Sequence, residues 1–313
     1  MKACADPSLF NWPLSGSLEE GGGSMFWNGI CTTAKANPIG EDWWFEDVSL
    51  LTLPLYKRLI LAVDSRGMKP EKISGSLIHY AKRNLCLLGR ESSGWNRDAS
   101  AANGSAVSSS PPDADQRNLL EEIAALLPDQ KGVTPTNFLL RMLRTSMILQ
   151  SSPACRDNLE KRVGAQLDQA ALEDLLIPSL GYSTETLYDV DCVQRILDHF
   201  MIVDRDTSDS TSNSVLDEGQ IIGGSHSLTP MTMVANLMDN YLAEIAPDPN
   251  LKLLKFQSLA AVIPEYARPL DDGIYRAVDI YLKVNKRNLQ TVLFSFHRSL
   301  SWKIHQERFC HVQ

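Results

Sequence analysis

The chain has 313 residues, 43% of them hydrophobic, and a formal net charge of −8. That is enough apolar material for one large or two small domains, and the negative balance excludes a chain-wide nucleic-acid-binding surface. Six cysteines at positions 4, 31, 86, 155, 192 and 310 form no Cys-x-x-Cys pair. They read as free thiols of a reducing compartment rather than a disulfide framework. The N-terminus lacks a signal-peptide core, and no run of about 18 apolar residues could span a bilayer. Leu50–Val63 comes nearest, but Pro54, Lys57 and Arg58 interrupt it. A soluble, intracellular protein is expected.

Residues 1–40, rich in Gly, Ser and Pro, read as a largely disordered connector with aromatic anchors at Phe10, Trp12, Phe26 and Trp27. The Gly21–Ser24 run lacks the Gly-Lys-Ser/Thr of a phosphate loop. Trp43 and Trp44 open the ordered part. Pro54 suits a first helical turn, with Leu55, Leu59, Ile60 and Val63 as the inward stripe and Gly67 as the stop. Pro70 starts a second helix with Ile73, Leu77, Tyr80, Ala81 and Leu85 inward, giving a helical hairpin. Residues 91–116, polar and bearing Pro111-Pro112, read as a mobile insertion.

Helical spacing returns over Leu119–Leu127. Thr134 and Pro135 are expected to cap and start a helix to Gln150, with Phe138, Leu139, Met142 and Ser146 inward. Further helices are expected over Cys155–Leu167, Gln169–Ile177 and Val190–Met201, the last burying Val193, Ile196, Leu197 and Phe200. A second polar linker is expected at 204–228. Thr229-Pro230 then starts a helix ended by Pro247 and Pro249, and Leu251–Ile263 forms another, ended by Pro264. The segment Tyr266–Lys283 announces a helix: Pro269 stiffens its approach, Asp271 or Asp272 caps it, and Ile274, Val278, Tyr281 and Leu282 share a face. No strand pattern and no fixed-period repeat is visible. The expected fold is all-α: packed helical hairpins with proline-marked joints and two polar disordered linkers.

The same residues offer no reaction centre. His297, His305, Cys310 and His311 lack the spaced ligand pairs of a tetrahedral zinc site. His79 and His199 have no partner of defined role, and neither a Gly-x-Ser-x-Gly elbow nor a His-Glu-x-x-His motif occurs. The acid pairs Glu46/Asp47, Asp189/Asp191 and Asp271/Asp272 each precede a helix, where they favour its positive end. No catalytic residue, cofactor or metal is assigned, and no enzyme is expected. The spacing Arg268-x-x-Asp271-x-x-x-Tyr275 loosely fits tyrosine phosphorylation. Ser92, Ser93 and Ser108, in the polar insertion, are candidates by accessibility.

Ordered blocks carry a family resemblance. They are Asp6–Pro13, Gly23–Gly29, Asp42–Asp47, Leu55–Ile60 with Ser65–Pro70, Leu175–Leu180, Leu187–Asp191, Tyr241–Leu251 and, most specifically, 266–283. Together they resemble the plant non-phototropic-hypocotyl/root-phototropism family over about residues 1–284. The signature positions are Trp43, Trp44, Glu46, Asp47, Tyr188, Asp189, Asp191, Arg268, Pro269, Asp272, Gly273, Tyr275 and Arg276. The resemblance implies a connector over 1–40, a helical signature domain over 41–284 and an atypical basic tail over 285–313. It implies a substrate-recognition adaptor of a cullin-based, BTB-type ubiquitin ligase in light signalling. Expected partners are a phototropin-type photoreceptor kinase, related family members, and a cullin where a BTB domain lies upstream; no nucleic acid or transmembrane segment is expected. The expected location is cytoplasmic, with peripheral attachment to the plasma membrane through partners.

The sequence given departs from the family pattern at both ends: it is expected to lack a BTB domain before the connector and the usual helices after Lys283. In the tail, Val292, Leu293, Phe294 and Phe296 fit either a short basic amphipathic helix for a membrane surface or an unrelated end produced by alternative splicing or an imperfect gene model. The departure leads to two further expectations. One is a scaffold working without ubiquitin, competing with longer relatives. The other is an exposed, association-prone face at Ile274, Val278 and Tyr281.

Overall fold

The computed structural model describes residues 42, 44–89, 113–180, 186–211, 229–268 and 272–284. Among these, twelve α-helices and two 3₁₀ turns account for nearly all regular structure, with no strand and one isolated antiparallel bridge, Pro178 to Tyr188. The chain divides into two compact units.

The first unit holds α1 (Trp44–Val48), α2 (Leu53–Asp64), α3 (Pro70–Asn84) and α4 (Cys86–Gly89). Pro54 and Pro70 both sit in first turns, where their missing N–H costs nothing. Gly67 closes α2 at φ +77°, and the Met68 amide returns to the Val63 carbonyl. Of the expected inward stripe of α2, Ile60 and Val63 are buried and Leu59 is partly so, but Leu55 is 51% exposed and Tyr56 is buried in its place. Tyr56 claims that face by stacking on Tyr80 at 3.7 Å and by sharing a 2.9 Å hydrogen bond with Ser76. Tyr80 in turn donates to the Leu51 carbonyl. On the other flank Phe45 lies so close over Gly75 that a Cβ there would sit 2.8 Å from its ring.

The helix α5 (Asp113–Leu126) starts earlier than its apolar spacing suggests, because Asp113 and Asp115 occupy its positive first turn. Residues 113–124 belong to the second unit. That unit continues with α6 (Thr136–Ile148), α7 (Pro153–Ala165), α8 (Leu172–Leu175), α9 (Val190–Thr211), α10 (Pro230–Ile245), α11 (Leu253–Val262) and α12 (Asp272–Val284). Pro135, not Thr134, is the cap residue of α6; Thr134 is buried, and its carbonyl accepts from Gln166 at the far end of α7. The expected helix at 169–177 is a 3₁₀ turn, Leu167–Gln169, and the single turn α8. The guanidinium of Arg144 caps the Glu173, Asp174 and Leu176 carbonyls there. α9 runs to Thr211, past the start of the expected linker.

The core of this unit lies where α7 packs on α6 and α9, and where α10 packs on α12 and α11. Ile274, Val278 and Tyr281 are at most 3% exposed, which corrects the expectation of an open face. Tyr281 stacks on Phe256 of α11 at 4.7 Å and donates to the Leu251 carbonyl. The expectations for 1–40, 91–112, 212–228 and 285–313 concern residues outside the described ones.

Candidate functional site

Two of the expected signature residues of the second unit, Asp191 and Arg268, meet opposite ends of α11. At its N-terminal end, Lys255 pairs with Asp191 on the first turn of α9. Asp248, in the turn before α11, accepts the Leu187 amide at 2.6 Å. The bridge between Pro178 and Tyr188 sets this approach, with Ser179 donating to Leu187 and Asp189 donating to Ile177. Asp189 then caps α9, its Oδ1 accepting the Cys192 amide at 2.9 Å.

At the other end of α11, Arg268 is buried. Its Nε donates to both oxygens of Asp239 on α10, at 3.0 and 3.3 Å. Its Nη1 and Nη2 donate to the Ile263 and Ala260 carbonyls, closing the C-terminal turn of α11. Both side chains are 5% exposed, so the charges are shielded from water and satisfied by each other and by backbone. Gly273 permits this packing, since a Cβ there would lie 2.9 Å from Asp239 Cβ. Asp272 and Arg276 are exposed on α12 and Tyr275 is half-buried. The spacing that suggested a modified Tyr275 thus has its arginine sealed in a structural ion pair. Pro269, Asp271, Ser92, Ser93 and Ser108 lie outside the described residues.

In the first unit Trp44 is buried and edge-on to Phe45 at 4.8 Å, while Glu46 and Asp47 face outward on α1. Trp43 is outside the described residues.

A second ion pair joins α7 to α9, with Glu160 buried and Arg195 half-exposed. Arg195 grips Glu160 through two 2.8 Å bonds, and the Cys192 thiol donates to the same carboxylate at 3.5 Å. Burial first, then the Glu160 charge, pushes the Cys192 thiol well above the usual range, so it stays protonated and is no nucleophile. The hydrogen bond to Glu160 raises Arg195. Sequence reading missed Glu160, Arg195 and Asp239; a buried acid among apolar helix positions was the available signal. His199 lies 3.7 Å from Asp157, and His79 tilts against Phe45. Among the described residues no group of three or more His, Cys, Asp or Glu could hold a metal ion, and no helix is long and apolar enough to cross a membrane.

The arrangement is chemically that of a brace. It fixes the orientation of α11 between α9, α10 and α12, and so fixes the surface these helices present. A family model described as the NPH3 family matches residues 42–290. The chain is 52% identical over 288 residues to the BTB/POZ domain-containing protein At1g30440 of Arabidopsis thaliana, covering 90% of this chain and 43% of the relative. It is 33% identical to Root phototropism protein 3 of Arabidopsis thaliana, over 91% of this chain and 48% of that protein. It is also 33% identical to Coleoptile phototropism protein 1 of Oryza sativa subsp. japonica, over 91% and 47%. The chain thus spans about half the length of the curated relatives it matches. No solved structure matches it.

Proposed function

The chain belongs to the NPH3 family, and from that premise we propose that it recognises protein partners as the substrate-selecting part of a cullin-based, BTB-type ubiquitin ligase in plant light signalling. The observation that carries the reading is the family match over 42–290, reinforced by relatives whose names state a BTB/POZ domain or a phototropism role. The braced helices of the second unit support it, because a recognition surface gains affinity when its elements are held in place before binding. The region 41–284 is the recognition body in this reading. Its partners are a phototropin-type photoreceptor kinase and related family members, with a cullin engaged through a BTB domain. It works in the cytoplasm, attached at the plasma membrane through those partners, and performs no catalysis itself.

The test is co-purification of the tagged chain from light-treated plant tissue, scored for a phototropin-type kinase, for cullin and for ubiquitinated partners. Recovery of the kinase with ubiquitination dependent on the chain supports the proposal. Recovery of the kinase with no cullin or ubiquitin signal, even beside a BTB-bearing relative, favours a scaffold acting without ubiquitin. Recovery of neither overturns the recognition role.

A further inference from the structure

The two ion pairs, each built on a buried carboxylate, occupy matching places. When α7 is laid on α10 in one unbroken register, Cys155, Leu159, Glu160, Val163, Gln166 and Leu167 fall on Val234, Met238, Asp239, Leu242, Ile245 and Ala246, and every one of these is buried. Asp157 and Lys161 fall on Asn236 and Asn240, all exposed. When α9 is laid on α12, Val193, Ile196, Leu197 and Phe200 fall on Ile274, Ala277, Val278 and Tyr281, again all buried. The exposed Asp191 and Arg195 fall on the exposed Asp272 and Arg276, and Asp198 falls on Asp279. Helix periodicity alone predicts apolar matches but not matched buried acids or matched outward charges.

Contacts repeat as well as positions. α7 packs on α9 as α10 packs on α12. In the first pair Cys192 touches Glu160; in the second, Gly273, which falls on Cys192, lies against Asp239, which falls on Glu160. The connectors differ, a 3₁₀ turn, the single turn α8 and the bridge in one and the whole of α11 in a slightly longer other, so the offset between the copies is not the same for the first and second helices and a fixed-period search finds nothing.

We infer that α7–α9 and α10–α12 are two copies of one helical unit, each closed by a buried carboxylate clasp whose guanidinium has been supplied in two ways. In the first copy it comes from the second helix, through Arg195. In the second copy the acid is one methylene shorter, and the longer connector delivers Arg268 instead. Arg276, at the place of Arg195, is left exposed and makes no ion pair among the described residues. The second copy therefore retains the first copy's clasp in latent form. This goes beyond the recognition reading and stands whether or not that reading survives.

The experiment restores the latent clasp in the full chain and follows thermal unfolding by far-ultraviolet circular dichroism. Arg268→Met lowers the midpoint by taking the guanidinium away from the buried Asp239 carboxylate. Adding Asp239→Glu returns most of the loss, because the longer carboxylate reaches Arg276. Adding Arg276→Met then removes the gain, while Arg276→Met alone leaves the midpoint where it was. The inference is overturned if Asp239→Glu restores nothing, including the case in which neither variant folds, or if the gain survives loss of Arg276.

Discussion

At the scale of single residues, burial decides which charges matter. Asp239 and Arg268 are each 5% exposed, so Asp239→Asn leaves a buried guanidinium without its counter-charge. The expected loss is about 3–5 kcal/mol, read from urea unfolding. Asp191 and Lys255 are 61% and 41% exposed, and Asp191→Asn is expected to cost under about 1 kcal/mol in the same assay. Equal losses for the two variants would contradict this ranking. The capping role of Asp189 was legible in the sequence, since an acid directly before an apolar-periodic run has few better uses than the exposed amides there. The partner of Arg268 was not legible. Asp239 lies far back along the chain, within a helix, and only the packing of α10 against the 3₁₀ turn Glu265–Ala267 brings the two together.

At the scale of elements, close approach can reverse the sign of local propensity. Gly164 lies in the helix α7, where alanine would gain about 1 kcal/mol by propensity alone. A Cβ there would meet His199 Cβ at 2.7 Å and the Ile196 carbonyl oxygen at 2.8 Å, and the backbone of α9 cannot yield as a side-chain tip could. Overpacking of this kind costs about 1–3 kcal/mol. Gly164→Ala is therefore expected to lower the unfolding midpoint; a raised midpoint would show that the α7–α9 crossing is loose. Ile274 gives the complementary test. An open face would make Ile274→Asp more soluble at unchanged stability, whereas its burial against the second-unit core makes the variant strongly destabilised in thermal unfolding. Helix starts were the most legible elements, because Pro54, Pro70 and Pro230 all fall in first turns. The facing of α2 was less so, since Leu55 and Tyr56 fit helical spacing equally and only the stack on Tyr80 chooses between them.

At the scale of the whole molecule, buried phenols set the alkaline limit. Burial raises the pKa of Tyr56, Tyr80, Tyr241 and Tyr281, so each stays protonated in the folded chain beyond the point where the unfolded chain releases its proton, at about pH 10. The stability these groups contribute is complete below that pH and is lost as pH rises above it. The unfolding midpoint is expected to fall steeply on the alkaline side, and Tyr56→Phe with Tyr241→Phe to flatten the fall; an unchanged slope would mean these rings do not govern it. The sequence by itself determined the all-α class, the proline-marked helix boundaries and the family, because these depend on local sterics, on periodicity and on ordered blocks read along the chain. Only the tertiary structure decided which acids are buried, which arginine answers each, where glycine is required and that α12 is covered. Those outcomes depend on distances between helices remote in sequence, and the spacing of residues within one helix carries no information about them.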